Sequence, residues 1–406
     1  MLIQNATLID TSPAPVVLRG HDLLVEHGRI AAVGVGLPTT GRSVVDGTDR
    51  IVLPGFVDTH RHTWLTALRG STADMGLMAY LDLVLGRIAP RYHPDDVFAS
   101  TLAGAIEALA SGVTTVQDFA HIAYTKAHAD ASVSALRESG IRAVFAYGQP
   151  VFGEGSGSGA VRAVHAEHFS GSTGLVTMAL AATGPSYSSM ENVRADWALA
   201  EELGLRVYTH VGSGPVAEHP VDALRQAGLL SSEITFAHGN SLADSELALI
   251  STARAAVSIC PAVEARMGHG APMADRLAAH GVTTGLGVDV VTTVAGDMFS
   301  LMRATLQTSS LSAADVLRLS TVEGAAALGM AERIGSLSVG KQADLVVLRA
   351  TDANLVGGEH DLIEAVVTCG HPGNIESVLV AGKPARTKVS ADLAQALRLS
   401  AKRVRG

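Results

Sequence analysis

Ile51-Val52-Leu53-Pro54-Gly55-Phe56-Val57-Asp58-Thr59-His60-Arg61-His62 is the stretch whose reading decides the fold. It is a nearly continuous apolar run that stops on acid and imidazole side chains. Such runs form strands buried in a parallel sheet. Side chains two apart on a strand point the same way, so His60 and His62 present two imidazoles on one side of the strand end. Neutral imidazole is the commonest nitrogen ligand for zinc and similar metals, so this end offers half a metal site. Alone the pair is a weak signal, because the chain carries 16 histidines. Its meaning depends on what the other strands end with.

Downstream, apolar strands alternate with amphipathic helices. Strands are expected over residues 51–57, 114–117, 143–146, 176–181, 206–209, 234–237, 256–259 and 283–288. Helices are expected over 94–111, 131–139, 192–203, 221–227, 244–253 and 273–280. Roughly eight such repeats predict a (β/α)₈ barrel, with a doubly wound open sheet as the alternative. Upstream, residues 2–9, 22–26 and 29–33 read as short antiparallel strands. After about residue 330 strand patterns return, at 335–337, 339–348, 363–370 and 375–380. The expected organisation is therefore a barrel over 54–330 beside a small β-sandwich. The sandwich takes residues 1–53 from one chain end and 331–390 from the other, and 391–406 form a terminal helix.

The composition bounds the function. A chain of 406 residues, 47% hydrophobic and only 17% charged, suits an α/β enzyme rather than a disordered protein. A formal charge of −9 argues against a nucleic-acid or anionic-membrane partner. The basic tail Lys402, Arg403 and Arg405 reads as a solvated helix end. Two cysteines, Cys260 and Cys369, make no disulfide framework. No signal peptide or spanning helix is expected, which makes cytoplasmic the expected location. A homodimer is the default assembly. Gly153-Glu154-Gly155-Ser156-Gly157-Ser158-Gly159 lacks the Lys-Ser/Thr ending of a P-loop and reads as a flexible loop after a strand.

Barrel active sites lie at the C-terminal ends of the strands. Strand one ends at Asp58, His60 and His62, and strand two at Asp118 with His121 beyond it. Strand five ends at His210, strand six at His238, strand seven at Cys260 with Glu264 and His269 in the loop, and strand eight at Asp289. Each of these residues alone reads as structural. Their coincidence on one barrel face reads as a metal site.

With these residues in place, the chain resembles the amidohydrolase superfamily, in its mononuclear branch of deaminases and triazine-type hydrolases. The resemblance rests on Leu53 to His62, His210, His238-Gly239-Asn240, Gly287-Val288-Asp289 and the closing stretch from Ile334 to Leu348. It implies that His60, His62, His210 and Asp289 bind one divalent metal, zinc first, with iron or manganese able to substitute. It also implies that His238 bonds the activated water or the substrate. The dinuclear branch uses a lysine after strand four, where this chain reads Met178 to Pro185 without one.

One position departs from the family. Its deaminases carry a glutamate three residues after the strand-five histidine, as proton shuttle to the leaving amine. This chain has Ser213 there. Either Asp289 acts alone as ligand and base, or an acid comes from Glu264, and after it Glu218 or Asp118. The expected reaction is hydrolysis of a non-peptide C–N bond in a small, cyclic or heteroaromatic molecule. Asp289, His238 and Glu264 are the expected catalytic residues, and Trp64, Phe119, His121, Phe152 and Tyr187 the expected substrate wall. Arg61 and Arg69 read as structural ion pairs, and Cys260 as an inert thiol. The alternatives are a metal-dependent lyase, isomerase or cyclase on the same scaffold, and a catalytically silent binding protein.

Overall fold

Gly55 divides the opening apolar run between two sheets. In the computed structural model, which describes residues 1–171, 174–213 and 217–406, the run expected as a single strand is two. Arg50–Pro54 joins a sheet built from the chain ends, and Phe56–Arg61 enters the barrel. A Cβ at Gly55 would lie 2.1 Å from Thr114 Oγ1, so the chain can press against its neighbour here only as glycine.

The chain-end sheet begins with β1 (Leu2–Asp10), β2 (Val16–Glu26), β3 (Arg29–Gly34), β4 (Val44–Asp46) and β5 (Arg50–Pro54). The barrel follows with β6 (Phe56–Arg61), β7 (Val113–Ala120), β8 (Arg142–Gly148) and β9 (Val176–Ala182). It continues with β10 (Val207–Val211), β11 (Ile234–His238), β12 (Ala256–Ile259) and β13 (Thr283–Leu286). The chain then returns to the first sheet as β14 (Leu345–Arg349), β15 (Ile375–Val380) and β16 (Lys383–Pro384).

The eight barrel strands pair in sequence order, all parallel. The ring closes through backbone bonds just past β13. Asp289 N donates to His60 O at 2.8 Å, and His62 N donates to Asp289 O at 2.9 Å. The Asp58 carboxylate adds a clip by accepting from Val288 N at 3.1 Å. The bonds that close the barrel thus also bring His60 and His62 together with Asp289.

The chain ends form one mixed sheet in the order β16-β15-β14-β5-β1-β2-β3, with β4 on β1. Ile3, Leu8, Leu23, Ile30, Val52, Leu345 and Leu379 meet in one buried cluster, so strands from both chain ends share a core. Arg142 on β8 reaches Asp344 with two bonds of 2.9 and 3.0 Å, both side chains buried. Removing one member of such a pair strands a buried charge.

Residues 363–370, expected as a strand, belong to the helix Leu362–Cys369. Short apolar runs do not separate the two periods. Here Leu362, Ala365 and Val366 are buried at helical spacing, while Glu364 and Thr368 face solvent. The final helix, Ala391–Arg405, lies on the helix Pro94–Ala110, where Arg403 Nε meets Asp96 Oδ1 at 3.1 Å. Among the described residues no helix is long and apolar enough to cross a membrane.

Candidate metal centre and its cavity

Asp289 stands at the centre of the ligand cluster. Its Oδ1 lies 3.3 Å from His62 Nε2 and 3.6 Å from His60 Nε2, and its Oδ2 lies 3.7 Å from His238 Nε2. The His62 and His210 rings stack with centroids 5.5 Å apart, and the His60 and His210 centroids are 4.8 Å apart. Candidate ligand atoms of His60, His62 and Asp289 lie within 4.8 Å of one another, as do those of His60, His210 and His238. The two groups share His60 and surround one small volume.

The backbone that presents these groups is specialised. Asp289 has φ +65° and His238 φ +75°, left-handed values that side chains other than glycine seldom adopt and that cluster at functional sites. A Cβ on Gly287 would fall 2.7 Å from His60 Cβ and 2.8 Å from its carbonyl oxygen. Only glycine lets this segment lie against the β6 end.

The donor set fits a divalent metal. His62 Nδ1 donates to Phe119 O at 2.8 Å, which leaves Nε2 as the free lone pair. His60 Nε2 is buried with no hydrogen-bond partner among the described residues. Burial and the neighbouring imidazoles hold His60 and His210 well below the usual histidine range, which favours the neutral imidazole that a metal requires. Burial pushes the Asp289 carboxyl up, but the neighbouring imidazoles of His62, His238 and His60 outweigh it, and the group stays ionised.

His238 is held from behind. Burial opposes its charged form, but the bond to Glu264 and the Asp289 charge raise its pKa above the ordinary value. Glu264 Oε1 accepts from His238 Nδ1 at 3.1 Å and from Cys260 N at 2.7 Å. Its Oε2 accepts from Asn240 Nδ2 at 3.3 Å. Glu264 is buried and lies outside the cavity lining, on the far side of His238.

A cavity of about 180 Å³ opens from the ligand cluster. Its inner end is His62, His210, His238 and Asp289, and its outer wall is largely apolar, with Leu77, Tyr80, Leu81, Leu85 and Met267. Among the described lining residues Asp289 is the only carboxylate, and there is no lysine or arginine. His269 also lines it, and burial followed by the nearby His238 pushes its pKa down to about 4.

The expected substrate wall divides. Phe119, His121 and Tyr187 line the cavity. Trp64 is fully buried outside the lining, with its ring centroid 5.2 Å from Tyr92 and 5.5 Å from His121. Phe152 is 45% exposed and also outside the lining, although its neighbour Val151 is part of it. Ser213 lines the cavity, and its Oγ has no partner among the described residues. Of the other acids, Asp118 Oδ1 accepts from Thr63 N at 3.1 Å and from its hydroxyl at 2.8 Å, and Glu218 is exposed. Arg61 is buried and donates to Asp58 at 3.2 Å, Gly296 O at 3.1 Å and Glu107 at 3.0 Å. Arg69 reaches the same Glu107 at 2.9 Å. Burial holds the Cys260 thiol well above its usual range. Sequence reasoning missed Tyr80, Leu81, Leu85 and Gln149. The available signal was the four-residue spacing of Tyr80, Val84 and Ile88, all buried on one helix face.

Known proteins share this architecture. The model of the amidohydrolase family matches residues 51–385. A 5-methylthioadenosine/S-adenosylhomocysteine deaminase of Symbiobacterium thermophilum is 28% identical over 414 aligned positions, covering 94% of this chain and 92% of that protein. An adenosine deaminase from Xanthomonas campestris, solved with bound zinc, superposes with TM-score 0.88 at 26% identity, covering 100% of this chain and 98% of that one. An atrazine chlorohydrolase from Arthrobacter aurescens, solved with zinc, gives TM-score 0.87 at 25% identity, with 99% of each chain covered. A family match across most of the chain, on a barrel whose strand ends converge on side chains able to hold a metal ion, means that this chain belongs to the amidohydrolase family.

Proposed function

We propose that the protein hydrolyses a C–N bond in a small heteroaromatic molecule, by deamination or amide/amidine hydrolysis, with one divalent metal as cofactor. The observation that carries this reading is the meeting of His62, His210 and Asp289 at the inner end of a largely apolar cavity, with His60 packed directly against them. These four residues would hold the metal, and zinc is the first choice, as in the solved relatives. When bound, a divalent ion lowers the pKa of a water it carries from about 15.7 to about 7.

The protein's own groups do the rest. Asp289 accepts a proton from the water as its oxygen attacks the sp² carbon. His238, held through Nδ1 by Glu264, donates from Nε2 to the charge that develops on the tetrahedral centre. Asp289 then gives its proton to the departing nitrogen, and the C–N bond breaks. Glu264 acts through His238 rather than on the substrate. Phe119, His121 and Tyr187 border the ring of the substrate.

The test is a panel of adenosine, S-adenosylhomocysteine, atrazine and the atrazine analogue with an amino group in place of chlorine. The zinc-loaded enzyme should release ammonia from one or more amino compounds, with oxygen from labelled water in the product, and a chelator should stop it. Product formed without water oxygen would turn the reading to a lyase or isomerase. A fully zinc-loaded protein inert on every compound would turn it to a binding protein.

A further inference from the structure

The apolar outer wall of the cavity continues onto the surface around its mouth. The short helix Leu77–Tyr80 runs directly into a π-helical segment, Leu81–Ile88, and four lining residues come from this stretch. Such wide turns are rare and concentrate at functional sites. Large apolar side chains stand in solvent at the opening. Met78, on the same helix as Leu77 and Tyr80, is 75% exposed. Val151 and Tyr187 line the cavity and are 51% and 43% exposed. Phe152 lies beside the π-helical segment, its Cδ2 3.9 Å from where a Cβ on Gly86 would stand. Exposed apolar surface continuous with a cavity marks where the apolar part of a ligand is received.

Charge is confined to the inner end. Among the described lining residues there is no lysine or arginine, and the one carboxylate, Asp289, is a proposed metal ligand. The sequence after Ser213 reads Gly214-Pro215-Val216, also without charge. Asp82 and Arg87 of the π-helical segment pair with each other at 2.6 Å, exposed and outside the lining. A carboxylate tail calls for arginine or lysine, and a ribose diol for an acidic acceptor. Gln149, the one amide among the described lining residues, already accepts at Oε1 from Gly157 N at 3.3 Å and from Ser156 Oγ at 3.4 Å.

We propose that the substrate is an uncharged heteroaromatic ring carrying alkyl arms. Its reacting carbon faces Asp289, and its arms lie against Leu77, Leu81, Leu85 and Met267 and out across the mouth. Nucleosides and amino-acid conjugates fall outside this class, because a charged tail would enter without a partner and a diol without a free carboxylate. This rests on the hydrolytic reading above and adds the substrate class to it.

The test is a series on one ring with the zinc-loaded enzyme. It runs from the triaminotriazine without alkyl groups to those with one and two N-alkyl arms, the last being the amino analogue of atrazine, beside adenosine and S-adenosylhomocysteine. Each buried methylene is worth about fourfold, so kcat/KM should climb about 100-fold along the series. Adenosine and S-adenosylhomocysteine should fall about 100-fold below the dialkyl compound. A flat series, or adenosine or S-adenosylhomocysteine as the best substrate, would overturn the proposal and leave the hydrolytic reading standing. Leu81→Gln, at matched zinc content, should lower kcat/KM on the dialkyl compound about tenfold and on the unsubstituted ring less; equal losses would overturn the placing of the arms on this wall. If no compound of this series or of the panel above is hydrolysed, the hydrolytic reading fails by itself. Calorimetric Kd values for the same five compounds then decide the class: the same order upholds it for a bound ligand, and a flat or reversed order overturns it.

Discussion

The inner and outer ends of the cavity are built by different means. At the inner end, His60, His62, His210, His238 and Asp289 sit at or just beyond strand ends of a closed parallel barrel. Backbone bonds across the β6–β13 seam fix two of the ligand segments, and outer partners fix the rings: Phe119 O for His62 and Glu264 for His238. At the outer end, Leu77, Tyr80, Leu81 and Leu85 come from one irregular helical stretch between β6 and β7. None of the proposed metal ligands lies in that stretch. A rigid inner end with a separable outer wall lets one set of chemistry be offered to different rings.

The sharpest way to break this contrast is at Asp289. Asp289→Asn removes the only carboxylate among the described lining residues and a proposed metal ligand together. Bound zinc per chain should fall, and kcat/KM should fall by more than the roughly 10–100-fold typical of an outer-shell change. Elemental analysis beside turnover checks both. Full zinc with wild-type rates would remove Asp289 from the site.

A smaller effect is expected at Glu264, which touches the chemistry only through His238. Glu264→Gln should lower kcat about 10–100-fold while KM and zinc content hold. A zinc loss as large as that of Asp289→Asn would instead make Glu264 part of the ligand set.

The same contrast explains what the sequence made legible. Parallel barrel strands are apolar along their length and end at the site, so Asp58, His60, His62, His210, His238 and Asp289 could be read from where each run stopped. The break at Gly55 was not legible, because apolar residues continue on both sides and only the contact with Thr114 requires the turn. The helix Leu362–Cys369 was read as a strand because eight apolar-rich residues satisfy either period. The outer wall depends on how a loop folds over the barrel mouth. Phe152 and Trp64 lie close in sequence to strand ends or ligands, yet one faces solvent and the other packs away from the cavity. Glu264 was visible as an acid near the site, but its two oxygens turn toward His238, Asn240 and Cys260, a direction set by a short helix after β12.

The gentlest test lies in the outer wall. Leu81 lines the cavity and is only half-buried in the free protein, so truncating it removes substrate contact with little damage to the core. Leu81→Ala deletes three carbons. At about 0.8 kcal/mol per fully buried methylene, and with part of that side chain still wet, the loss of binding should be about 1 kcal/mol. A contact made equally in the ground and transition states moves KM and leaves kcat alone. KM for an apolar-substituted ring should therefore rise about fivefold, with kcat and zinc content unchanged. Steady-state kinetics on the best substrate of the panel measures this directly. A fall in kcat of the size seen for Glu264→Gln would mean that the outer wall also sets the reacting geometry, and the two ends of the cavity would then have to be treated as one unit.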